Sequence, residues 1–253
     1  VVTCKDEANT VSVLQKIYVM GLFNREGLNP FVVCGNRAEE YHGPKEVFPK
    51  AYMVSIIVPY NKDRGYLAQC LDSIRAQTVT CELIEVESPR SVSCNFNTGL
   101  ERATGEFVKV VGEDDWLPWD SAENLVNGIG DAPWGVANAM QVDKHGGLLD
   151  VYKHDALGFA ENVVLNRIHN GGTIYRTEVL REIGGMDETL WTGEEYEMHL
   201  RLYSLGYLPQ YIDKEVYFYR MWDGGKSRQL RKQDPKKRAD EIKRIQSLYI
   251  DKV

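Results

Sequence analysis

Apolar positions along the chain fall into short continuous runs separated by stretches with helical spacing. Val1–Cys4 is a brief apolar run. Thr10 can cap a helix carried by Leu14, Ile17, Tyr18 and Leu22, and Gly27 and Pro30 punctuate it before Phe31–Cys34 resumes an extended run. Residues 35–50, with Gly35, Gly43, Pro44 and Pro49, read as a connector. The pattern then restarts. Met53–Val58 predicts a buried strand, Pro59–Asp63 a loop, and Tyr66–Ala76 a helix with Leu67, Cys70, Leu71 and Ile74 on one face. Leu83–Val86 is the next strand, Ser93–Ala103 the next helix, ended by Thr104-Gly105, and Phe107–Val111 a third apolar strand. The stretches VVTCKDEANTVSVLQKI and IIVPYNKDRGYLAQCLDSI share a strand–turn–helix layout. That fits a weak internal repeat, or the ordinary likeness of any two such units.

Alternating strands and helices predict an α/β fold whose central, mostly parallel (mixed) sheet is flanked by helices. Ligands of such sheets bind at the carboxyl ends of strands, and the polar loops after Val58, Val86 and Val111 share that edge. A length of 253 residues suits one large domain with a small appendage. We divide the chain into a strand–helix–strand extension (1–50) and a main domain (51–253) that ends in a basic lid or helix (224–253). The net charge of −7 gives no reason to expect a nucleic-acid partner. No apolar run reaches the roughly 18 residues of a membrane span, which leaves only peripheral membrane contact open. The five cysteines are odd in number and include no Cys-x-x-Cys pair, so free thiols in a reducing, cytoplasmic setting are expected.

Chemistry concentrates after the third strand. Glu113, Asp114 and Asp115 stand in a row, and side by side they repel unless a cation or water separates them. Hard oxygen ligands select Mg²⁺ or Mn²⁺, and magnesium commonly combines a few carboxylates with substrate phosphates. A solvated acidic turn that caps the next helix is the plainer alternative.

VSIIVPYN (Val54–Asn61), LDSIRAQT (Leu71–Thr78), ELIEVES (Glu82–Ser88), NTGLERATGEFVKVVGEDDWL (Asn97–Leu117) and GGMDETLWTGEEYEMHLRLYSLGY (Gly184–Tyr207) form an ordered set. Together they resemble the family 2 glycosyltransferases, which have the GT-A fold. The resemblance implies a metal-dependent, inverting transferase of polysaccharide biosynthesis. It would move a sugar from a UDP- or GDP-linked donor to a hydroxyl of a glycan or glycoconjugate. It places Pro59, Tyr60 and Asn61 at the nucleobase and Glu87 and Ser88 where the base is read. Asp114 falls at the ribose or metal, and Asp115 at the Mn²⁺ or Mg²⁺ ion as its main ligand. Glu195 falls at the general base with Glu194 as its acidic neighbour, Trp191 at the acceptor sugar, and Arg220, Lys226 and Arg228 in a lid over the diphosphate. The sequence departs from the family pattern at three points. Glu87-Ser88-Pro89 replaces a run with two aspartates, Gly112 replaces the first aspartate of the acidic motif, and Trp222 stands where many relatives carry histidine.

Other residues are read on their own terms. Arg90 can pair with pyrophosphate oxygens through its fork of donors, or lie as an exposed loop arginine. Asn170-Gly171-Gly172 permits close backbone approach to a sugar or acceptor, or makes an ordinary turn. His42, His145, His154, His169 and His199 have no metal-binding spacing and read as surface or core residues. Lys226–Arg244 carries nine Lys/Arg against three Asp/Glu. We expect Lys226–Arg231 to act as a mobile lid, and the chain from Asp240 to be a helix docked through Ile242, Ile245 and Leu248. Two other classes compete. A sugar-phosphate nucleotidyltransferase would open with a glycine-rich loop holding a basic residue, which PYNKDRG lacks. A non-catalytic nucleotide-binding module would not need carboxylates at both Asp115 and Glu195.

Overall fold

The computed structural model describes residues 54–154 and 158–253, which fall within one compact unit, Lys50–Val253. The expected 1–50 extension lies outside the described residues. β1 (Val54–Tyr60) is buried along its whole length, as a central strand covered on both faces must be. Its side chains alternate: Val54, Ile56 and Val58 join one apolar cluster and Ile57 the other. β2 (Cys81–Glu87) and β3 (Phe107–Val110) pair with it in parallel on its two edges.

Among the described residues one sheet has the order β2-β1-β3-β6-β4-β5, with β7 also on β4. β6 (Thr173–Arg176) runs antiparallel to both β3 and β4 (Trp134–Asp143). β5 (Leu148–Tyr152) is antiparallel to β4, while β7 (Pro209–Met221) is parallel to it. Trp134–Val136 pairs with β6 and Ala139–Val142 with β5, and both stretches also pair with β7. A strand has only two edges, so β5 and β6 share one edge of β4 and β7 takes the other. The sheet is mixed, as expected.

The expected loop at Pro59–Asp63 starts two residues later, because Pro59 and Tyr60 complete β1. Proline is tolerated there for a geometric reason. Ile57 accepts from Val111 N on the β3 side, and residues two apart point to the same edge. Pro59 therefore faces β3 beyond that strand's end, where its missing N–H costs no ladder bond.

Helices α1 (Leu67–Arg75) and α3 (Ser121–Ile129) cover one face through Cys70, Leu71, Ile74, Leu125 and Ile129. On the other face lie α2 (Val92–Arg102), α5 (Thr177–Glu182) and α6 (Glu194–Ser204), bringing Phe96, Leu100, Leu180, Met198 and Leu202. The short α4 (Phe159–Val164) contributes Val163 to a third cluster with Leu190, Tyr196, Leu200, Ile245 and Tyr249.

The C-terminal stretch departs in part from expectation. Lys226–Arg231, the segment expected to act as a lid, falls inside a helix, α7 (Lys226–Gln233). Asp234 then caps α8 (Pro235–Ser247) by accepting from Lys237 N at 2.9 Å, with Pro235 in the first turn. Ile245 is fully buried and docks α8 on α6, but Leu248 is half exposed and does not join that contact. Among the described residues, no helix is long and apolar enough to cross a membrane.

Candidate functional site

β3 stops at Val110 because the next residues leave the ladder: Val111 N still reaches Ile57 O, and Gly112–Asp115 then turns, with Asp115 N bonded to Gly112 O at 3.1 Å. The far end of β7 clamps this turn. Trp116 and Phe218 exchange backbone bonds as an antiparallel bridge, and their rings stack with centroids 4.9 Å apart. Tyr217 Oη donates to Asp115 Oδ2 at 2.7 Å, and Arg220 N donates to Asp115 Oδ1 at 2.7 Å. Trp222 Nε1 donates to Asp114 Oδ2 at 2.7 Å. Glu113, which borders the same cavity as Asp114 and Asp115, is ion-paired with Arg64. Burial, and then the charge of Asp114, push Asp115 well above the usual carboxylate range despite the bonds from Arg220 and Tyr217.

The acidic loop forms part of a cavity of about 380 Å³ that also takes in Pro59, the Arg167–Gly171 stretch, the start of α6 and the end of β7. Gly193, at φ +77°, caps α6 in the left-handed region. A side chain there would meet Ile242 and Ile245 of α8 at 2.9 Å, so glycine lets α8 close against the start of α6. Glu194 and Glu195 follow at once. Glu194 is buried and ion-paired with Lys226. Glu195 lines the cavity, and no other side chain bonds its carboxylate among the described residues. Burial, reinforced by Glu194 and opposed by Lys226, holds it up at about 7.

The site contains two carboxylates suited to a hard divalent ion. A Cβ built at Gly112 would lie 3.0 Å from Asp115 Oδ2 and 3.3 Å from Asp114 Oδ1, so the two carboxylates converge over a space that glycine leaves open. Among the described residues, no group of three or more His, Cys, Asp or Glu side chains could hold an ion unaided. Two carboxylates with phosphate oxygens from a nucleotide match the usual magnesium or manganese donor set.

No family model matches the chain. The glycosyltransferase GlyA of Streptococcus pneumoniae serotype 4 is 24% identical over 220 residues, covering 69% of this chain and 31% of that protein. Staphylococcus aureus TarS 1-349 in complex with UDP superposes with a TM-score of 0.54 at 16% identity, covering 78% of this chain and 64% of that one. The complex of the same protein with UDP-GlcNAc gives 0.53 at 16% identity over 68% and 59% of the two chains. GalNAc-T7 with UDP, GalNAc and Mn²⁺ gives 0.51 at 12% identity over 68% and 44%. The fold is GT-A. This chain thus spans under a third of the length of GlyA.

Within this GT-A domain, Pro59, Asp114, Asp115, Gly171, Glu194, Glu195, Arg220, Lys226 and Arg228 meet at the cavity. Several residues singled out from the sequence lie elsewhere. Tyr60 packs in the core beside Cys70 and Leu71, because the strand's alternation turns it away from Pro59. Asn61 is exposed and accepts from Arg64, and Glu87 is exposed at the end of β2. Ser88 closes the β1–β2 edge, its N–H on Tyr60 O at 3.1 Å. Arg90 is an exposed loop arginine paired with Glu188 at 3.4 Å. Trp191 lies in a separate groove with Lys237 4.6 Å above its ring, away from the cavity.

Arg220 borders the cavity but is no lid residue. It is 5% exposed, and its Nε, Nη1 and Nη2 all donate to the protein, at Asp114 O, Lys144 O and Gln69 Oε1. Its guanidinium also lies over the Tyr66 and Trp116 rings, at 4.0 and 4.4 Å. The two glycines are explained by protein contacts. A Cβ at Gly171 would overlap the Tyr217 ring at 2.3 Å, and one at Gly172 would lie 2.1 Å from Ala137 O. Only Gly171 borders the cavity.

Lys109 is a residue the motif reading passed over. It is fully buried in β3, donates to Gly171 O at 2.5 Å and Thr173 O at 3.3 Å, and sits 5.3 Å over the Tyr217 ring. Desolvation lowers it to about 7. A lysine inside the apolar run FVKV was the available signal, since a buried cation needs acceptors supplied from elsewhere.

Proposed function

We propose that the chain is a metal-dependent, inverting glycosyltransferase acting from a nucleoside-diphosphate sugar, with UDP the first nucleotide to test. The observation that supports this reading most is that Asp114, Asp115 and Glu195 border one cavity at the carboxyl edge of a GT-A sheet. UDP is favoured because TarS was solved with UDP and with UDP-GlcNAc, and GalNAc-T7 with UDP and Mn²⁺. The main domain, 51–253, holds every proposed group, and residues 1–50 are assigned none. Free thiols at Cys70, Cys81 and Cys94 suit a cytoplasmic setting.

Asp115, with Asp114 beside it, would hold Mn²⁺ or Mg²⁺. When bound, the ion offsets the negative charge that develops on the departing diphosphate. The chain's own groups do the rest. Tyr217 and Arg220 fix the Asp115 carboxylate by one bond to each oxygen, so its geometry precedes ligand arrival. Lys226 and Arg228 bring positive charge to the cavity. Glu195 takes the proton from the acceptor hydroxyl as that oxygen bonds to the anomeric carbon and the sugar–diphosphate bond breaks in line. One displacement inverts the carbon, so one base suffices. The acceptor is proposed as a glycan or glycoconjugate hydroxyl. A screen of UDP- and GDP-sugars with Mn²⁺, reading UDP or GDP release, tests the proposal. Release from none of them rules it out.

A further inference from the structure

Part of the cavity lining is aromatic. His169 and Tyr152 stack with ring centroids 5.5 Å apart and planes 25° from parallel. Tyr219 and Tyr217 tilt against the same imidazole at 4.6 and 5.6 Å. All four rings border the cavity, and Tyr152, at the end of β5, is 39% exposed. His169 Nδ1 accepts from Gly171 N at 3.1 Å. An imidazole accepting through Nδ1 carries its proton on Nε2, so the opposite edge of the ring is a fixed donor. That Nε2 has no partner among the described residues. Burial, and then repulsion from His154 and Lys109, lowers the ring to about 3 and so favours its neutral form.

A pyranose ring shows an apolar C–H face and a rim of hydroxyls or an amide carbonyl. A flat aromatic face beside one fixed N–H matches both features, as pockets for small polar ligands commonly do. We propose that His169 and Tyr152 form the sugar-reading wall of the cavity. Tyr152, the more exposed ring of the stack, packs against the pyranose, and His169 Nε2–H donates to a sugar hydroxyl or amide carbonyl. The inference rests on the glycosyltransferase reading and deepens it by naming the residues that select the sugar. The pyranose could be the donor's or the acceptor's, and the experiment separates the two.

Wild type, His169→Phe and Tyr152→Ala are compared. Phenylalanine keeps a ring and removes the donor. Tyr152→Ala removes a stacking partner without touching the bond to Gly171, so it stands if the first variant folds poorly. Calorimetry with Mn²⁺ measures UDP, UDP-glucose and UDP-N-acetylglucosamine, while saturation-transfer NMR measures methyl glycosides. Both variants should bind UDP as wild type does. Both should lose roughly 3- to 10-fold in one sugar arm: UDP-sugar affinity if the wall reads the donor, methyl-glycoside affinity if it reads the acceptor. Unchanged affinity in both arms overturns the proposal, as does a parallel fall in UDP affinity, which would mark a purely structural role. Wild type that binds methyl glycosides through His169 but no nucleotide leaves the wall standing and removes the nucleotide-sugar reading. Wild type that binds neither sugar source removes both.

Discussion

Glu195 and Glu194 are neighbours in sequence with opposite surroundings. Lys226 neutralises Glu194, whereas Glu195 faces the cavity without a side-chain partner among the described residues. Glu195→Gln keeps the shape and removes the proton acceptor, so transfer should fall by roughly 100- to 10,000-fold. Donor affinity should stay near wild type, and Glu194→Gln should cost less turnover. Steady-state rates with calorimetry of UDP check this, and a dead Glu194→Gln beside an active Glu195→Gln would move the base by one position. The pH profile follows from the raised carboxyl. A base must be ionised to act, and Glu195 is held up at about 7, so the transfer rate should rise with pH and level off above that value. A rate already flat from pH 5 upward would contradict the assignment.

At the level of elements, the end of β7 organises the site. It supplies the bridge at Phe218, the bond from Tyr217 and the buried guanidinium of Arg220, and it holds the acidic loop in place before any ligand binds. Arg220→Ala would strand Lys144 O, Asp114 O and Gln69 without their donor, and should destabilise the fold by roughly 2–4 kcal/mol. Arg220→Lys should recover little, because one ammonium cannot span three acceptors in different directions. Urea midpoints of the two variants test both statements. The turn before β6 makes a separate prediction. Gly172→Ala places a methyl against the Ala137 carbonyl, a backbone atom that cannot move alone, and should cost about 3 kcal/mol. A wild-type midpoint for this variant would mean that β4 and the turn separate more easily than their contact implies.

For the molecule as a whole, nucleotide and metal should bind as one unit, because the described residues offer two converging carboxylates and no ready-made cage. UDP at about 100 times its dissociation constant should raise stability by about 2.7 kcal/mol. EDTA or Asp115→Asn should abolish most of that gain. Equal thermal shifts with UDP in Mn²⁺ and in EDTA would show that the nucleotide needs no ion.

Much of this was legible in one dimension. Continuous apolar runs mark β1 and β3 because strands buried on both faces have no polar side, and the spacing of Leu67, Cys70, Leu71 and Ile74 marks α1. The acidic loop could be located because it follows an apolar strand, which is a local property, whereas the roles of Asp115 and of the Glu194-Glu195 pair came from the resemblance of the ordered motifs, and all of them border the cavity. Contacts between distant segments were not legible. Arg220 reads as a phosphate-binding arginine until Gln69, Asp114 and Lys144 claim its donors, and Trp191 reads as a sugar platform until Lys237 of α8 covers it. Gly171 and Gly172 look like ligand-facing glycines, yet Tyr217 and Ala137 require them. His169 looks like one surface or core histidine among several until β5 and β7 bring tyrosines to its ring. A residue's chemical type is set by the chain, but whether its donors and faces remain free for a ligand depends on which segments pack beside it. Only the tertiary structure makes that choice.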